Sequence, residues 1–378
     1  MIIGIPKEIK NHEYRVGMIP AGVRTLVADG HQVLVESHAG THIGFTDKDY
    51  IAAGACIVSS SDDVFANAEM IVKVKELQTV ERTKLRPGQL LFTYLHLAPD
   101  LEQTHDLLQS DAICIAYETV TDNSGGLPLL APMSEIAGRM SVQAGAHALE
   151  TAQGGSGVLL GGVPGTEPGR VVIFGGGMVG ANAARMACGL RADVTLFDNN
   201  IQTLRRLDSE FAGRVKLLIP SSQLIQTHIQ EADLVIGAVL IPGATAPKLL
   251  SREDLRLMKR GSVLVDVAID QGGCFATSRP TTHAEPLYTE EGIIHYCVAN
   301  MPGAVARTAT QALCNATLPF VQALANQGAI AAMRANPHLA NGLSVYRGQL
   351  ISEPVARSQE RSFTPLSQIL NAARASQR

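Results

Sequence analysis

Short apolar runs alternate with amphipathic runs from residue 170 onward, which is typical of parallel α/β construction. Six of the apolar runs are predicted to be strands, at residues 170–174, 193–197, 215–219, 234–238, 262–267 and 293–298. A helix is predicted over residues 178–190, and Leu204, Leu207 and Phe211 indicate a second helix because they recur at helical spacing. This order of strands and helices predicts an α/β unit with a parallel sheet.

The first 130 residues show the same alternation. Their predicted strands are residues 2–5, 32–36, 70–74, 90–94 and 112–117, and the clearest helical stretches are residues 21–28 and 101–108. An alanine-rich stretch over residues 133–153 predicts a helix that joins the two units. Residues 306–327 are again helical in pattern, and the chain beyond them is too short to form a domain alone. We therefore expect residues 305–378 to complete a domain with residues 1–130, and residues 131–304 to form the other domain.

Composition agrees with this division and argues against some classes of partner. At ~150 residues per domain, 378 residues correspond to two or three domains. The 31 basic and 35 acidic residues give a net charge of -4 without a long basic run, so nucleic acid and anionic membranes are not expected as partners. Charged residues make up 17% of the chain, below the ~25% that is usual, which indicates much surface that is buried or in contact with other subunits.

Six cysteines are scattered along the chain, with no CxxC pair and no cluster that has metal-ligand spacing. This pattern predicts free thiols in a reducing compartment and no bound metal. The start, MIIGIPKEIK, lacks the apolar stretch and the cleavage site of a signal peptide, and no run reaches the ~20 apolar residues that span a bilayer. We expect a cytoplasmic protein.

The sequence GGGMVG, which begins at Gly175, fits the pattern GxGxxG directly between a predicted strand and a predicted helix. In such a loop Gly175 would permit the tight turn, Gly177 would let backbone N–H groups approach a pyrophosphate, and Gly180 would let the helix pack closely on the sheet. The first helical turn, with Met178 and Val179, would offer N–H donors and partial positive charge to the phosphates. The loop therefore predicts a dinucleotide site.

An acidic residue, Asp198, directly follows the next predicted strand. Its carboxylate can accept a hydrogen bond from a ribose 2′-hydroxyl and would repel a 2′-phosphate, which favours NAD over NADP. Arg205 and Arg206 lie shortly downstream and leave NADP open as an alternative.

Three polar residues of the first unit lie in loops or at the ends of predicted strands: Arg15, Lys75 and His96. Each alone is typical of a solvated surface charge or of a hydrogen-bonded histidine. Since α/β folds bind ligands at the carboxyl ends of their strands, the three together favour a binding site. Two cations and a histidine suit a small carboxylate substrate that undergoes proton transfer.

In the second unit, Asp270 follows the predicted strand at residues 262–267 within the sequence AIDQGG. This is where the nicotinamide end of a dinucleotide is expected, although an aspartate before two glycines is also a common turn residue. Asp266, inside the strand, is the rival acid and is more typical of a buried structural carboxylate.

The longest informative motifs are GIPKEIKNHEYRVGMIPAGV, IVKVKE, LFTYLHLA, AYETV, LPLLAPMSEIAGRMS, GGGMVG, ADLVIGAVLIPGATAPKL, VDVAIDQGGCF, SRPTTH and YCVANMPGAVARTAT. Through them the chain resembles, almost end to end, the alanine dehydrogenase and pyridine nucleotide transhydrogenase family. The resemblance implies an α/β fold of two Rossmann-like doubly wound domains with the active-site cleft between them, the N-terminal domain being completed by C-terminal helices. It also implies a homohexamer that uses NAD for the reversible oxidative deamination of L-alanine to pyruvate and ammonium.

The same resemblance implies roles for individual residues. Arg15 and Lys75 are expected to hold the carboxylate and carbonyl of the substrate, and His96 and Asp270 to serve proton transfer and orientation. Four further residues are expected beside the cofactor: Ser134, Val239, Leu240 and Asn300.

Two other hypotheses remain. The NAD-binding subunit of a proton-pumping transhydrogenase shares this fold but lacks the acid–base residues of amino-acid chemistry, so the presence of both His96 and Asp270 argues against it. An NAD-sensing protein that has lost turnover would bind NADH tightly without catalysis.

Overall fold

The structure is a computed structural model that describes residues 1–239 and 246–375, without the side chains of residues 372–375. The chain divides into two compact units. The first unit consists of Met1–Met133 together with the chain from Val305 onward, and the second unit consists of Ser134–Ala304. Each unit is built around one sheet.

The N-terminal part of the first unit contains the strands β1 (Ile2–Ile5), β2 (Gln32–Glu36), β3 (Cys56–Val58), β4 (Met70–Val72), β5 (Leu90–Thr93) and β6 (Ile113–Ala116). The helices between and after them are α1 (Pro20–Ala28), α2 (Asp47–Ala52), α3 (Ser61–Asn67), α4 (Thr79–Arg82), α5 (Leu101–Gln109) and α6 (Ala131–Ala148), the last of which continues into the second unit. Local sequence sets several of the helix starts. For example, the side chains of Ser60 and Asp100 accept the backbone N–H groups of Asp63 and Gln103 at the starts of α3 and α5.

The second unit contains the strands β7 (Arg170–Phe174), β8 (Asp193–Phe197), β9 (Val215–Leu218), β10 (Leu234–Gly237), β11 (Val263–Asp266), β12 (Leu287–Glu290) and β13 (Ile293–Tyr296). Its helices are α7 (Met178–Gly189), α8 (Ile201–Phe211), α9 (Ser222–Glu231) and α10 (Arg252–Leu255). The chain then returns to the first unit as α11 (Ala306–Gln327), α12 (Ala329–Ala335), α13 (Pro337–Ala340), β14 (Leu343–Tyr346), β15 (Gln349–Leu350), α14 (Glu353–Ser358) and α15 (Leu366–Ala375).

The first five strands of each sheet along the chain have the same order, and the sheets differ in their remaining strands. The first has the order β15-β14-β6-β5-β4-β1-β2-β3 and the second the order β12-β13-β11-β10-β7-β8-β9. In each, the first strand in sequence lies inside the sheet with parallel neighbours on both sides, so the direction of winding reverses beside β1 and beside β7. Such a switch point is where doubly wound sheets bind ligands, at the carboxyl ends of the strands. The predicted fold class of two doubly wound units is confirmed.

Inner strands of both sheets are buried along their whole length, as expected when helices cover both faces of a parallel sheet. In the second unit, Phe174 of β7 and Phe197 of β8 stack with ring centroids 5.5 Å apart, and Phe275 meets Phe174 edge-on at 6.3 Å. This packing fixes the two strands that carry the glycine loop and Asp198.

Two expectations need correction. The predicted helix over residues 133–153 ends at Ala148, and Thr151–Gln153 form a separate short 3-10 turn before Gly154, whose φ is +86°. The chain end was expected to contribute helices to the first unit, and it contributes two strands as well, because β14 pairs antiparallel with β6. Short antiparallel edge strands of two to four residues give too little hydrophobic alternation to be predicted from sequence.

Candidate active site

The glycine loop makes a sharp turn between β7 and α7. Gly175 has a φ of +96°, where side chains cause strain, and a Cβ there would lie 2.7 Å from the carbonyl oxygen of Ala238. A Cβ at Gly180 would lie 1.7 Å from the carbonyl oxygen of Gly175, so α7 packs on the loop at a distance that only glycine allows. Gly177 is exposed, and within the described part of the chain no heavy atom comes within 4 Å of its Cβ position. The loop backbone is therefore closely packed at Gly175 and Gly180 and accessible from outside at Gly177.

The open side of the loop faces the start of α7. Gly177 is the N-cap and has no side chain that could accept the first N–H groups of the helix. Met178 is exposed and Val179 is half-buried, so these groups lie near the surface. Backbone N–H donors and the positive end of the helix dipole form an anion site suited to a pyrophosphate.

Asp198 lies at the same sheet edge, because Phe197 of β8 pairs with Phe174 of β7. Its carboxylate accepts the N–H of Gly176 at 2.6 Å on one oxygen and the N–H of Asn200 at 2.7 Å on the other. A carboxylate offers about four acceptor positions, so it retains the capacity to accept ribose hydroxyls.

Arg206 is one of the two arginines for which NADP was kept as an alternative cofactor. It donates from Nη2 to the carbonyl oxygen of Gly176 at 3.0 Å. Its Nη1 lies 3.7 Å from the Glu210 carboxylate, one turn further along α8. The guanidinium therefore supports the loop backbone and is paired with a carboxylate.

The other residues predicted to bind the cofactor lie in the second unit. Ser134 is half-buried in the first turns of α6, and Val239 is half-buried just after β10. Leu240 lies outside the described residues. Asn300 has a left-handed backbone with a φ of +66°, and its carbonyl oxygen accepts the N–H of Gly303 at 2.9 Å.

Asp270 is exposed on the 3-10 turn Ile269–Gln271, which follows β11. Asp266, the last residue of β11, is fully buried, as the sequence predicted, and burial raises the pKa of its carboxyl. Its two oxygens accept the N–H groups of Ala268 at 3.1 Å and Cys274 at 2.7 Å. Asp266 thereby fixes both ends of the turn that presents Asp270.

In the first unit, the three predicted substrate residues follow three adjacent strands. Arg15 lies in the loop after β1, Lys75 follows β4 and His96 follows β5. The parallel pairing of Gly4 with Ile71 and of Val72 with Phe92 aligns the carboxyl ends of these strands. The structure thus places the three residues in loops at one edge of the first sheet.

The Arg15 guanidinium is held by Glu13. Nε donates to Oε1 at 2.7 Å and Nη2 donates to Oε2 at 2.6 Å, and both residues are buried. Burial acts to raise the pKa of Glu13, but the hydrogen bonds and charge of Arg15 outweigh it and lower that pKa. Nη1 points to the Met133 sulfur at 3.2 Å. The guanidinium is therefore held in one orientation by Glu13 and Met133.

Arg15 lines a cavity of about 240 Å³ together with His12, Tyr14 and His42. This volume is below the roughly 300–1,000 Å³ of pockets for drug-sized ligands, but Lys75 and His96 are not part of its lining, so the cavity brings only Arg15 of the three residues into one pocket. A larger cavity of about 490 Å³ in the second unit is lined mainly by residues between 143 and 161, and the predicted site residues are not part of its lining.

Lys75 is half-buried, and burial together with the nearby charges of Arg15 and Lys10 lowers the pKa of its ammonium, whereas Glu76 acts in the opposite direction. The Glu13 carboxylate also acts to raise the pKa of Lys75. The positive charges of Arg15 and Lys75 are therefore partly offset by the Glu13 and Glu76 carboxylates.

His96 has an exposed side chain and a left-handed backbone with a φ of +50°. The Glu118 carboxylate accepts the N–H of His96 at 2.6 Å and the N–H of Leu95 at 3.2 Å. Burial raises the pKa of Glu118, although these backbone N–H groups act to lower it. An uncommon conformation of a non-glycine residue is thus held by a carboxylate that lies just after β6.

Glu13 and Glu118 were not predicted from the sequence as site residues. Both nevertheless lie in motifs that were recognised, EYRVG and AYETV, and Glu118 follows a predicted strand as His96 does. Their position at strand ends could have identified them, but their partners depend on folding.

Within residues 1–239 and 246–375, no group of three His, Cys, Asp or Glu side chains could hold a metal ion. None of the helices among these residues is long and apolar enough to cross a membrane. All six cysteines are free thiols.

The second unit is a Rossmann-type unit with a glycine loop, a helix start and an acid at one switch point, which defines a dinucleotide-binding protein. The chain belongs to the alanine dehydrogenase/PNT family: residues 4–137 match its N-terminal domain and residues 141–353 match its C-terminal domain.

Named relatives and solved structures match nearly the whole chain. An alanine dehydrogenase of Halomonas elongata is 58% identical over 95% of this chain and 96% of its own length. An alanine dehydrogenase of Mycolicibacterium smegmatis is 53% identical over 98% of this chain and 100% of its own length. A solved L-alanine dehydrogenase superposes with a TM-score of 0.93 at 53% identity, covering 95% of this chain and 99% of that one. A transhydrogenase from Sinorhizobium meliloti, with a TM-score of 0.82 at 23% identity over 93% of this chain and 100% of that one, shares the fold.

Proposed function

We propose that this protein is an NAD-dependent alanine dehydrogenase that interconverts L-alanine with pyruvate and ammonium. The main support is the position of Arg15, Lys75 and His96 after three adjacent strands of one sheet. Two cations and a histidine at one sheet edge match a small 2-oxo acid whose turnover requires proton transfer. Relatives at 50–58% identity that carry the name alanine dehydrogenase support the same reaction.

The residues of the first unit would bind and orient the substrate. Arg15, whose orientation is fixed by Glu13, would pair with the carboxylate. Lys75 is a compact donor that would bind the carbonyl oxygen and stabilise charge that develops there. Because Lys75 has a lowered pKa, it also loses a proton more readily than an ordinary lysine.

His96 and Asp270 would move the protons. In the direction of deamination, one base must take a proton from the alanine ammonium and then from the attacking water, and an acid must assist the collapse of the carbinolamine to pyruvate. An imidazole can both accept and donate a proton and therefore suits both tasks, and the Asp270 carboxylate would be a further proton acceptor. Glu118 holds the backbone of His96 in a left-handed conformation, and this conformation sets the direction in which the imidazole leaves the main chain.

The glycine loop fits NAD, since Gly177 is open, the start of α7 has no capping side chain, and Asp198 retains acceptor capacity. Residues 177–180 would hold the pyrophosphate and Asp198 the adenosine ribose, with Ser134, Val239, Leu240 and Asn300 as further proposed contacts. When bound, the nicotinamide ring supplies the acceptor for the hydride that leaves the alanine Cα.

The decisive test is a panel of 2-oxo acids with ammonium, using NADH and then NADPH. The proposal expects NADH oxidation that requires both ammonium and pyruvate. Transhydrogenation without ammonium-dependent turnover would instead indicate a transhydrogenase subunit, and tight NADH binding without any turnover would indicate an NAD sensor. Either result would refute the proposal. One extra methylene in the acid is expected to change kcat/KM by about 10–200-fold.

The Asp198 carboxylate gives a prediction about cofactor choice. The substitution Asp198→Asn can keep an acceptor for the Gly176 N–H, but it places an amide NH2 opposite the Asn200 N–H and removes the charge. We expect kcat/KM for NADH to fall about 10–100-fold, as for loss of a hydrogen bond to a charged group, and the NADPH/NADH ratio of kcat/KM to rise. Asp193→Asn is the control, because Asp193 lies at the opposite end of the same strand and pairs with Lys216 at 2.8 Å. An unchanged ratio in Asp198→Asn would exclude a role for Asp198 in this choice.

We also propose that the protein is a cytoplasmic homohexamer. Exposed apolar side chains on the second unit, Leu159, Val163 and Leu190, support burial between subunits. The free thiols are in keeping with a reducing compartment. Light scattering at micromolar concentration should give a mass of about six chains, and a monomer would contradict the oligomer.

A further inference from the structure

Lys73 is a lysine whose side chain is fully buried in the first unit, directly after β4. Its ammonium donates to Oε2 of Glu8 at 3.0 Å and to Oε1 of Glu81 at 2.8 Å. Both carboxylates are themselves buried. We call these three residues the buried triad. It was not predicted from the sequence, and its net charge is one negative charge when all three groups are ionised.

One side of the buried triad holds the backbone of Lys75. Oε1 of Glu8, the oxygen that does not face Lys73, accepts the N–H of Val74 at 2.7 Å and the N–H of Lys75 at 3.1 Å. On the next strand, the hydroxyl of Thr93 donates to the carbonyl oxygen of Lys75 at 2.9 Å. The peptide groups on both sides of Lys75 are therefore fixed by buried side chains.

The other side of the buried triad leads away from Lys75. Oε2 of Glu81 accepts the N–H of Gln78 at 2.9 Å and so closes the start of α4. Glu8 and Glu81 thus share the ammonium of Lys73, but of these two carboxylates it is Glu8 that accepts the backbone N–H of Lys75.

Buried ion pairs cost desolvation energy, and well-packed apolar residues often stabilise a fold as well or better. A charged triad at this place therefore needs a reason other than stability. We infer that Glu8, held in place by Lys73, and Thr93 are positioning residues that fix Lys75 for substrate binding. This inference rests on the proposed function, in which Lys75 binds the 2-oxo acid.

The test compares Glu8→Gln with Glu81→Gln in the full chain. Each variant removes one carboxylate charge from the same buried ammonium, so their effects on folding should be alike. In Glu8→Gln the amide NH2 group, itself a donor, must face either the Lys73 ammonium or the N–H groups of Val74 and Lys75, so the segment has to shift. Misplacement of a substrate-binding group by about 1 Å can cost about 10²-fold. We expect kcat/KM for pyruvate to fall about 10–100-fold in Glu8→Gln and to stay within about threefold of the original protein in Glu81→Gln.

A purely structural role would lower activity and NADH binding together, so NADH affinity is measured for every variant by fluorescence titration. We expect it to change less than about twofold in Glu8→Gln. The inference is overturned if both glutamine variants lose kcat/KM equally, if Glu8→Gln keeps normal kcat/KM, or if NADH affinity falls in parallel. Absence of ammonium-dependent turnover in the unsubstituted protein would instead refute the proposed function.

A second pair of variants decides the question if Glu8→Gln does not fold. Thr93→Val removes the hydroxyl that holds the Lys75 carbonyl, without changing charge or shape. Thr317→Val is matched to it, since Thr317 is also fully buried and its hydroxyl donates at 3.5 Å to the Cys314 carbonyl within α11. We expect Thr93→Val alone to lower kcat/KM for pyruvate, by about 5–20-fold, and equal behaviour of the two variants would overturn the inference.

Discussion

Replacing His96 with alanine is expected to lower kcat by about 10²–10⁴-fold while leaving the affinity for NADH unchanged. The side chain of His96 is exposed, so its removal leaves no cavity in the core. Alanine accepts the left-handed backbone at residue 96 at a modest cost, because the Glu118 carboxylate still holds the N–H of this residue. The expected loss is therefore chemical rather than structural. It is measured as steady-state NADH oxidation with saturating pyruvate and ammonium, alongside an NADH titration.

His105→Ala is the control for this variant, because His105 is an exposed histidine on α5 of the same unit. It should retain the kcat of the original protein. A kcat near normal in His96→Ala would end the assignment of His96 as the proton-transfer residue. A loss of NADH affinity or of thermal stability would show instead that the variant is damaged. We expect Asp270→Asn to show the same pattern as His96→Ala, and the same measurements apply to it.

The substitution Gly180→Ala is expected to disrupt the second unit. The new Cβ would lie 1.7 Å from the carbonyl oxygen of Gly175, and a backbone atom cannot retreat as a flexible side chain can. Overpacking typically lowers the free energy of unfolding by about 1–3 kcal/mol and occasionally by more, and we expect a contact this short to reach the upper limit of that range. At about 2–4 °C per kcal/mol, we expect Tm to fall by about 6–12 °C. NADH affinity should fall more than about tenfold, because the displaced loop is the one proposed to bind the pyrophosphate.

Gly189→Ala gives the matched comparison at the other end of α7. Among the described residues, no heavy atom outside its chain neighbours and the backbone of its own helix lies within 4 Å of its Cβ position, and alanine is the better helix former. This variant should keep or slightly raise Tm, by about 0–3 °C, and should bind NADH normally. If the two variants melt at the same temperature, close packing of α7 on the loop is not what requires glycine at position 180. Differential scanning calorimetry with and without NADH measures both effects.

The sequence was sufficient for the fold class because long apolar strands alternate with helices in both units. It also located Arg15, Lys75 and His96 at strand ends, since strand ends can be recognised from local pattern. It could not predict that Glu13 occupies the Nε side of Arg15 or that Glu118 holds the backbone of His96. These contacts depend on which N–H groups a buried carboxylate meets after folding, and local pattern does not encode that geometry.

The buried triad shows the same limit more sharply. In sequence, Lys73 is one polar residue in an apolar run and would be placed at the surface. Only the approach of Glu8 from the loop after β1 and of Glu81 from α4 makes its burial possible. Likewise, β14 is recognisable as a strand only through its pairing with β6, more than two hundred residues earlier in the chain.

That pairing has a consequence for synthesis on the ribosome. The second unit is continuous in sequence and is fully made before β14 emerges, so it can fold first. Until then β6 is an unprotected sheet edge, whose free N–H and C=O groups are a template for pairing with other chains. A chain that stops before residue 343 would retain all the residues proposed for catalysis and yet expose this edge. We therefore expect truncation from the C-terminus to be limited by aggregation through β6 before it removes any residue proposed for catalysis.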